Sequence, residues 1–288
     1  MIRRPSLVPW ALVGPVLLVF VAFFAVPVLI LFASSFERMD LATFRVIERL
    51  TLHNYRKFLL DWYYLGVLLA TLKISLLVTL AALATGYPVA AYLAKARPRE
   101  RAILMLLIVS PLLVSLVIRS FGWVIVLGPR GLVNALLLGL GLVEAPVKLI
   151  YTETAVVIGL THVFYPFMVL AIYSALTNID PAVVRAARNL GAGPLQTFWR
   201  VVLPLSVPGV VAGSLIVFAL SVSSFVTPTL LGGPWVKVVA YLAWEQNLVV
   251  LDWGFAAAIA VILLVVTALV MLCYNQLVER RWFAGVFQ

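Results

Sequence analysis

Apolar residues run almost unbroken through six stretches of this chain, and polar residues collect between them. The stretches extend from Val8 to Phe32, Leu65 to Leu93, Ala102 to Leu127, Thr154 to Leu176, Leu205 to Val226 and Phe255 to Leu277. A helix needs roughly 20 mostly apolar residues to cross a bilayer core about 30 Å thick. Each stretch is therefore expected to span the membrane. The predicted fold is all-α: six transmembrane helices forming one membrane domain over residues 1–288. The first stretch is far longer than the about 7–15 apolar residues of a signal peptide, so it is expected to stay as an anchor.

Between the stretches the pattern changes. Residues 128–150 read Gly-Pro-Arg-Gly-Leu-Val-Asn followed by a short apolar run. That run is too short to span, which predicts a helix lying in the outer interface. Residues 228–254 carry Gly232-Gly233-Pro234-Trp235 and Asp252-Trp253-Gly254, and their tryptophans suit an interfacial belt. Pro27, Pro88, Pro111, Pro166 and Pro208 lie inside spans, where each removes a backbone donor and tends to kink its helix.

Composition supports lipid as part of the solvent. Of the 288 residues 64% are apolar and 11% are charged, against about a quarter charged in a soluble domain. The net charge of +10 would suggest nucleic acid in a soluble protein, but here the basic residues fall in short loops between spans. With the N-terminus inside, the inner segments hold Arg3, Arg4, Lys95, Arg97, Arg99, Arg101, Arg185, Arg188, Arg200, Arg280 and Arg281. Their acids are Glu100, Asp180 and Glu279. The outer segments hold eight basic residues and eight acids. The dense cluster Lys95–Arg101 decides the orientation. An even number of spans then leaves both termini in the cytoplasm.

Little in the sequence suggests catalysis. The single cysteine, Cys273, excludes an internal disulfide and a cysteine metal cluster. His53 and His162 are far apart and have no evident acidic partners, so no metal site is expected. An intramembrane enzyme would need a catalytic constellation that does not appear. An ion-driven secondary transporter or a channel would show acids deep in its spans, and none lies there. Lys73 and Arg119 do lie within spans. Arg119 is near an outer end and can snorkel. Lys73 is deeper and reads either as a pathway residue or interhelical partner, or as a snorkelling lysine.

The segment between the fourth and fifth stretches is the most informative. It reads Asp180-Pro-Ala-Val-Val-Arg-Ala-Ala-Arg-Asn-Leu-Gly-Ala-Gly-Pro-Leu-Gln-Thr-Phe-Trp-Arg-Val-Val-Leu-Pro204. This is the grammar of two short helices. Asp180 is a good N-cap and Pro181 suits the first helical position. Gly191 closes the first helix and Pro194 starts the second. Val183, Ala187 and Leu190 share one face; Leu195, Phe198, Trp199 and Val202 form a stripe on the other helix. The residues alone allow two readings: an amphipathic hairpin on the inner leaflet, or a rigid knob that docks on a cytoplasmic partner without itself implying transport.

This segment resembles the EAA loop of permease subunits in binding-protein-dependent ABC importers. That pattern runs Glu-Ala-Ala, three residues, Gly, nine residues, Ile, one residue, Leu-Pro. Ala186, Ala187, Gly191, Val201, Leu203 and Pro204 occupy matching positions at the same spacing, and Arg185 stands where the pattern has glutamate. Thr85-Gly-Tyr-Pro-Val-Ala-Ala-Tyr-Leu-Ala-Lys, Gly131-Leu-Val-Asn, Tyr165-Pro-Phe-Met-Val-Leu and Asp252-Trp-Gly-Phe-Ala-Ala look like the spermidine/putrescine permease subfamily.

The resemblance implies a type I ABC importer permease for a small solute, a polyamine or similar organic cation, with the loop forming the contact with an ATPase. It also implies a second permease subunit as a heterodimer partner, two cytoplasmic ABC ATPase subunits and an extracytoplasmic solute-binding protein. The chain lacks a Gly-x-x-x-x-Gly-Lys-Ser/Thr phosphate loop. It is expected to bind no cofactor and not to be catalytic itself, with ATP and magnesium used by the ATPase. For a cationic solute, aromatic, hydroxyl and acidic groups are expected along the path. The candidates are Tyr165, Ser221, Ser223, Ser224, Thr227, Glu245 and Asp252, each of which also suits ordinary helix packing or interfacial anchoring.

Overall fold

The structure, a computed structural model, describes residues 8–282, with side chains described for residues 13–277. Arg3 and Arg4, and the side chains of Glu279, Arg280 and Arg281, lie outside the described residues.

The chain begins with α1 (Val8–Phe20) and α2 (Val26–Ser34), separated by one π-helical turn at Val21–Ala25. A short hairpin follows, β1 (Arg38–Asp40) antiparallel to β2 (Arg45–Glu48), then α3 (His53–Leu60) and the long α4 (Trp62–Lys95). Next come α5 (Pro98–Val109), α6 (Leu116–Leu127), α7 (Leu132–Gly139) and α8 (Glu153–Thr177). The segment after α8 holds α9 (Pro181–Asn189) and α10 (Pro194–Thr197), and then α11 (Leu203–Ser223). The chain closes with α12 (Val226–Gly232), α13 (Val239–Glu245) and α14 (Trp253–Trp282). Among the described residues, six stretches are long and apolar enough to cross a membrane: Val13–Ser34, Trp62–Lys95, Leu116–Gly139, Glu153–Thr177, Pro194–Ser223 and Trp253–Leu277.

Prolines explain where these helices depart from the apolar pattern. The run from Ala102 to Leu127 is not one helix. Pro111 sits in a 3₁₀ turn at Ser110–Leu113, and Val114 and Ser115 are extended before α6 begins. Proline cannot donate to the helical ladder and restricts the residue before it, so the run breaks there. At 12 residues, α5 is about 18 Å long, too short for a 30 Å core. At 12 residues α6 is no longer than α5, and a turn at 128–131 parts it from α7; together Leu116–Gly139 is long and apolar enough to cross a membrane. Two other prolines are absorbed differently. The Val26 amide reaches back to the Val21 carbonyl just before Pro27, and the Leu203 amide reaches the Phe198 carbonyl just before Pro204. Widening one turn lets the chain stay helical where a proline withholds its bond.

Two compact units divide the chain: residues up to 65 with 242–265, and 66–241 with 266 onward. In the first, α3 is pinned by Asn54, whose buried Nδ2 donates to the Ser35 and Glu37 carbonyls at 3.2 and 2.8 Å. Phe58, fully buried, stacks on Tyr64, which meets Phe255 edge to face at 5.2 Å. Gly254 has no room for a side chain, because a Cβ would strike the Glu37 carbonyl. In the hairpin, the exposed Asp40 carboxylate accepts from Thr43 Oγ1 at 2.8 Å and the Ala42 amide at 3.0 Å. Those bonds, Thr43 first, hold its pKa below the usual value.

The second unit packs α4, α8 and α11 around Ile74, Val78, Leu160, Met168, Ile172 and Val217. Close approach of α8 and α11 depends on small residues. A Cβ at Gly209 would meet Ala175 Cβ and the Ala171 carbonyl, and one at Gly213 would come within 2.9 Å of Met168 Sδ. Such contacts hold membrane helices together where lipid and side chains are equally apolar. The phrase Gly131-Leu-Val-Asn has a structural use here. Asn134, fully buried, donates to the Gly128 and Val147 carbonyls at 3.1 and 3.0 Å and accepts from the Val147 amide at 2.8 Å.

Candidate functional site: the 180–204 loop and its contacts

The first helix of the loop, α9, starts as its residues dictate. Asp180 accepts from the Ala182 amide at 2.7 Å, and Pro181 takes the first helical position. The helix ends at Gly191, whose φ of +86° is left-handed, and the Gly191 and Ala192 amides close the turn on the Arg188 and Ala187 carbonyls. Gly193 then caps α10 with Pro194 in its first turn.

The second helix is not a separate short element. It passes from α10 through the π-helical turn Phe198–Val202 directly into α11. Continuity follows from the widened turn before Pro204, and it joins Val201, Leu203 and Pro204 to the span as one rod. Arg185 and Ala186 are exposed on α9, and Ala187 is half-buried. The apolar residues Leu190, Leu195 and Trp199 are 89%, 71% and 59% exposed.

The other side of the loop faces the C-terminal ends of α4 and α8 across a cavity of about 300 Å³. Ala91, Ala94, Leu176, Ile179, Arg185 and Phe198 are among its walls. Tyr87 of α4 reaches the loop twice. Its ring meets Phe198 edge to face, with centroids 5.8 Å apart, and its hydroxyl lies 2.8 Å from Ser206 Oγ. Ser206 Oγ donates to the Leu203 carbonyl at 2.9 Å, so the Tyr87 hydroxyl is the donor to Ser206.

The path candidates fall in different places. Tyr165 is half-buried on α8 and donates to the Thr85 carbonyl of α4 at 3.1 Å. Ser221, Ser223, Ser224 and Thr227 gather at the break between α11 and α12. Ser221 and Thr227 are only 3% and 0% exposed, and Thr227 is bonded to Ser120 at 3.1 Å. Ser223 donates back to the Ala219 and Leu220 carbonyls of its own helix. In the other unit, Glu245 ends α13. Asp252, 7% exposed, accepts from the Phe255 amide at 3.0 Å as the cap of α14 and lies 3.7 Å from Lys57 Nζ. Lys57 Nζ also sits 3.8 Å from the centre of the Phe255 ring.

Several pairings join residues far apart in sequence. Lys73 Nζ lies 2.5 Å from Glu153, the first residue of α8. With 34 residues, α4 is about 51 Å long and exceeds a 30 Å core, so Lys73 meets the start of α8 rather than its middle. Trp123 Nε1 donates to His162 Nδ1 at 3.2 Å. The Tyr87–Ser206 contact was the most hidden in sequence, although Tyr87 stands inside the phrase Thr85-Gly-Tyr-Pro, beside a helix-kinking proline.

The family model described as the binding-protein-dependent transport system inner membrane component matches residues 55–283. The chain is 39% identical over 254 residues to the spermidine/putrescine transport system permease protein PotB of Escherichia coli (strain K12), covering 88% of this chain and 92% of that protein. It is 36% identical over 262 residues to the PotB of Haemophilus influenzae, covering 90% and 91%. Among solved structures, a bacterial ABC transporter involved in import of the acidic polysaccharide alginate superposes with a TM-score of 0.78 at 20% identity, covering 95% of this chain and 96% of that one. That last likeness concerns the fold.

Proposed function

Because this chain belongs to the family of binding-protein-dependent transport system inner membrane components, and is a multi-pass inner-membrane permease subunit of an ABC importer, we propose that it carries a polyamine or similar organic cation. The substrate class follows from its 36–39% identity to proteins named as spermidine/putrescine permeases. Its partners are a second permease subunit, forming a heterodimer, two cytoplasmic ATPases and an extracytoplasmic solute-binding protein. Both termini face the cytoplasm. The chain is not itself catalytic and binds no cofactor; ATP and magnesium act on the ATPase subunits.

The observation that carries this reading is the 180–204 loop. It is a capped, stiff helical pair whose outer face presents Leu190, Leu195 and Trp199 uncovered. Its second helix runs unbroken into a span. A rigid apolar knob fits a groove on a partner and passes the partner's motion into the membrane. When the ATPases close on ATP, their grooves draw the two loops together, and the spans rock from inward- to outward-facing. Arg185 replaces the glutamate of the family pattern, so its partner groove offers a carboxylate or carbonyl where others offer a cation or amide. Ser221, Ser224, Thr227 and Tyr165 then serve the path when the helices reopen.

Co-expression with a tagged ATPase tests the contact. Ala186→Trp places bulk on the exposed face of α9 without an internal clash. It should abolish recovery of the permease with the ATPase while leaving membrane insertion intact. Undiminished recovery contradicts the docking role of the loop.

A further inference from the structure

We infer that Tyr87 is a positioning residue that transmits displacement of the 180–204 loop to a hinge in α4 at Pro88. Pro88 has no amide to offer the Ala84 carbonyl, so α4 is mechanically weakest there. α8 borders both sides of this weak point, and the loop borders the inner side alone. On the outer side, Tyr165 of α8 holds the Thr85 carbonyl at 3.1 Å. Gly86 seats α4 against α8, with space for a Cβ limited to 3.3 Å from Val169. On the inner side, Ala90 and Leu93 are fully buried, and Ala91, Ala94 and Lys95 line the cavity shared with the loop.

Tyr87 stands between these grips. Its ring contacts Phe198 within the widened turn, and its proton goes to Ser206, which holds the carbonyl of Leu203. A hydrogen bond is directional, whereas ring packing allows sliding. When the loop moves, the Tyr87–Ser206–Leu203 relay pulls α4 at the residue adjoining its proline. The segment before Thr85 stays with α8, and the segment after Pro88 follows the loop. The lever works because α10 runs through the widened turn into α11 without a break, so displacement at Trp199 is carried to Ser206, ahead of the point where Gly209 seats α11 on α8.

The inference rests on the loop being the ATPase contact, and the test separates the two. In a chain carrying Cys273→Ser, spin labels at Tyr92→Cys and Ser174→Cys report the distance between the inner part of α4 and α8. The full complex is reconstituted with the solute-binding protein, with ATP as the probe for the distance and spermidine with ATP for uptake. The chain with native Tyr87 should show an ATP-driven distance change, and Tyr87→Phe should reduce that change at least twofold. Spermidine taken up per ATP hydrolysed should fall about three- to tenfold. Loss of one neutral hydrogen bond in a structural role lowers the yield of complex but does not alter that ratio. Ser206→Ala should reproduce the loss, and the double variant should be no worse than either single one. An unchanged distance change and ratio in Tyr87→Phe, or in Ser206→Ala should the first variant fail to assemble, overturns the relay. No ATP-driven change even with native Tyr87 overturns the loop reading itself.

Discussion

Replacing Gly191 separates the shape of the loop from its bulk. Gly191 has φ of +86°, and a Cβ built there meets nothing within 4 Å. Substitution therefore costs only backbone strain, about 1–2 kcal/mol for an ordinary L residue in the left-handed region. That is a factor of about 5–30 in the population of the docking-competent turn. Asparagine tolerates this conformation better than alanine does. The expected order of ATPase recovery is glycine, then asparagine within about threefold of it, then alanine lower by the full factor. The assay is co-purification of the permease with a tagged ATPase across an ATPase titration, normalised to membrane-inserted permease. Recovery with Gly191→Ala equal to that of glycine, or with Gly191→Asn no better than with alanine, refutes a left-handed turn as the determinant.

Three further outcomes follow from packing. Gly209→Leu forces α11 away from Ala175 and the Ala171 backbone; overpacking of this kind costs about 1–3 kcal/mol or more, and a lowered thermal midpoint of the purified chain should show it. Asn134→Leu strands the Gly128 carbonyl and both backbone groups of Val147, at about 1–3 kcal/mol for each group left unsatisfied, and limited proteolysis should then cut near residues 140–147. A double-mutant cycle of Lys73→Met with Glu153→Gln should give a coupling of about 0.2–1 kcal/mol, because both side chains are about half exposed; a coupling of about 3 kcal/mol or more would mark a buried functional pair instead.

The apolar runs made the spans legible because lipid imposes a length and forbids charge, and both constraints act on composition alone. Pro111 shows the limit of that reasoning. Hydropathy is continuous across residues 102–127, yet the helix breaks, because a missing amide is a backbone fact that side-chain polarity does not register. The opposite happened at Pro204. A proline that seems to end a short helix lies within a continuous rod, because the turn before it widens, with the Leu203 amide bonding the Phe198 carbonyl, and the chain stays helical past the missing amide. Caps and turns at Asp180, Pro181 and Gly191 were readable, since each depends on neighbours within a few residues.

Long-range pairings were not readable. Lys73 seemed deep when counted along its own span, but its depth is set by where α8 begins. Asp252 resembled an acid waiting for a cation, and in the fold it caps α14 and faces Lys57. The relay through Tyr87 needs three segments to meet, which no local pattern encodes.

This chain is expected to move a cation only as part of an ATP-driven complex. The direct measurement is spermidine accumulation in proteoliposomes holding the full complex, with the solute-binding protein supplied outside and ATP enclosed on the ATPase side. Accumulation should require ATP, magnesium and the binding protein together, and should stop when the ATPase cannot hydrolyse. Spermidine entry at the same rate without ATP, or without the binding protein, would contradict it.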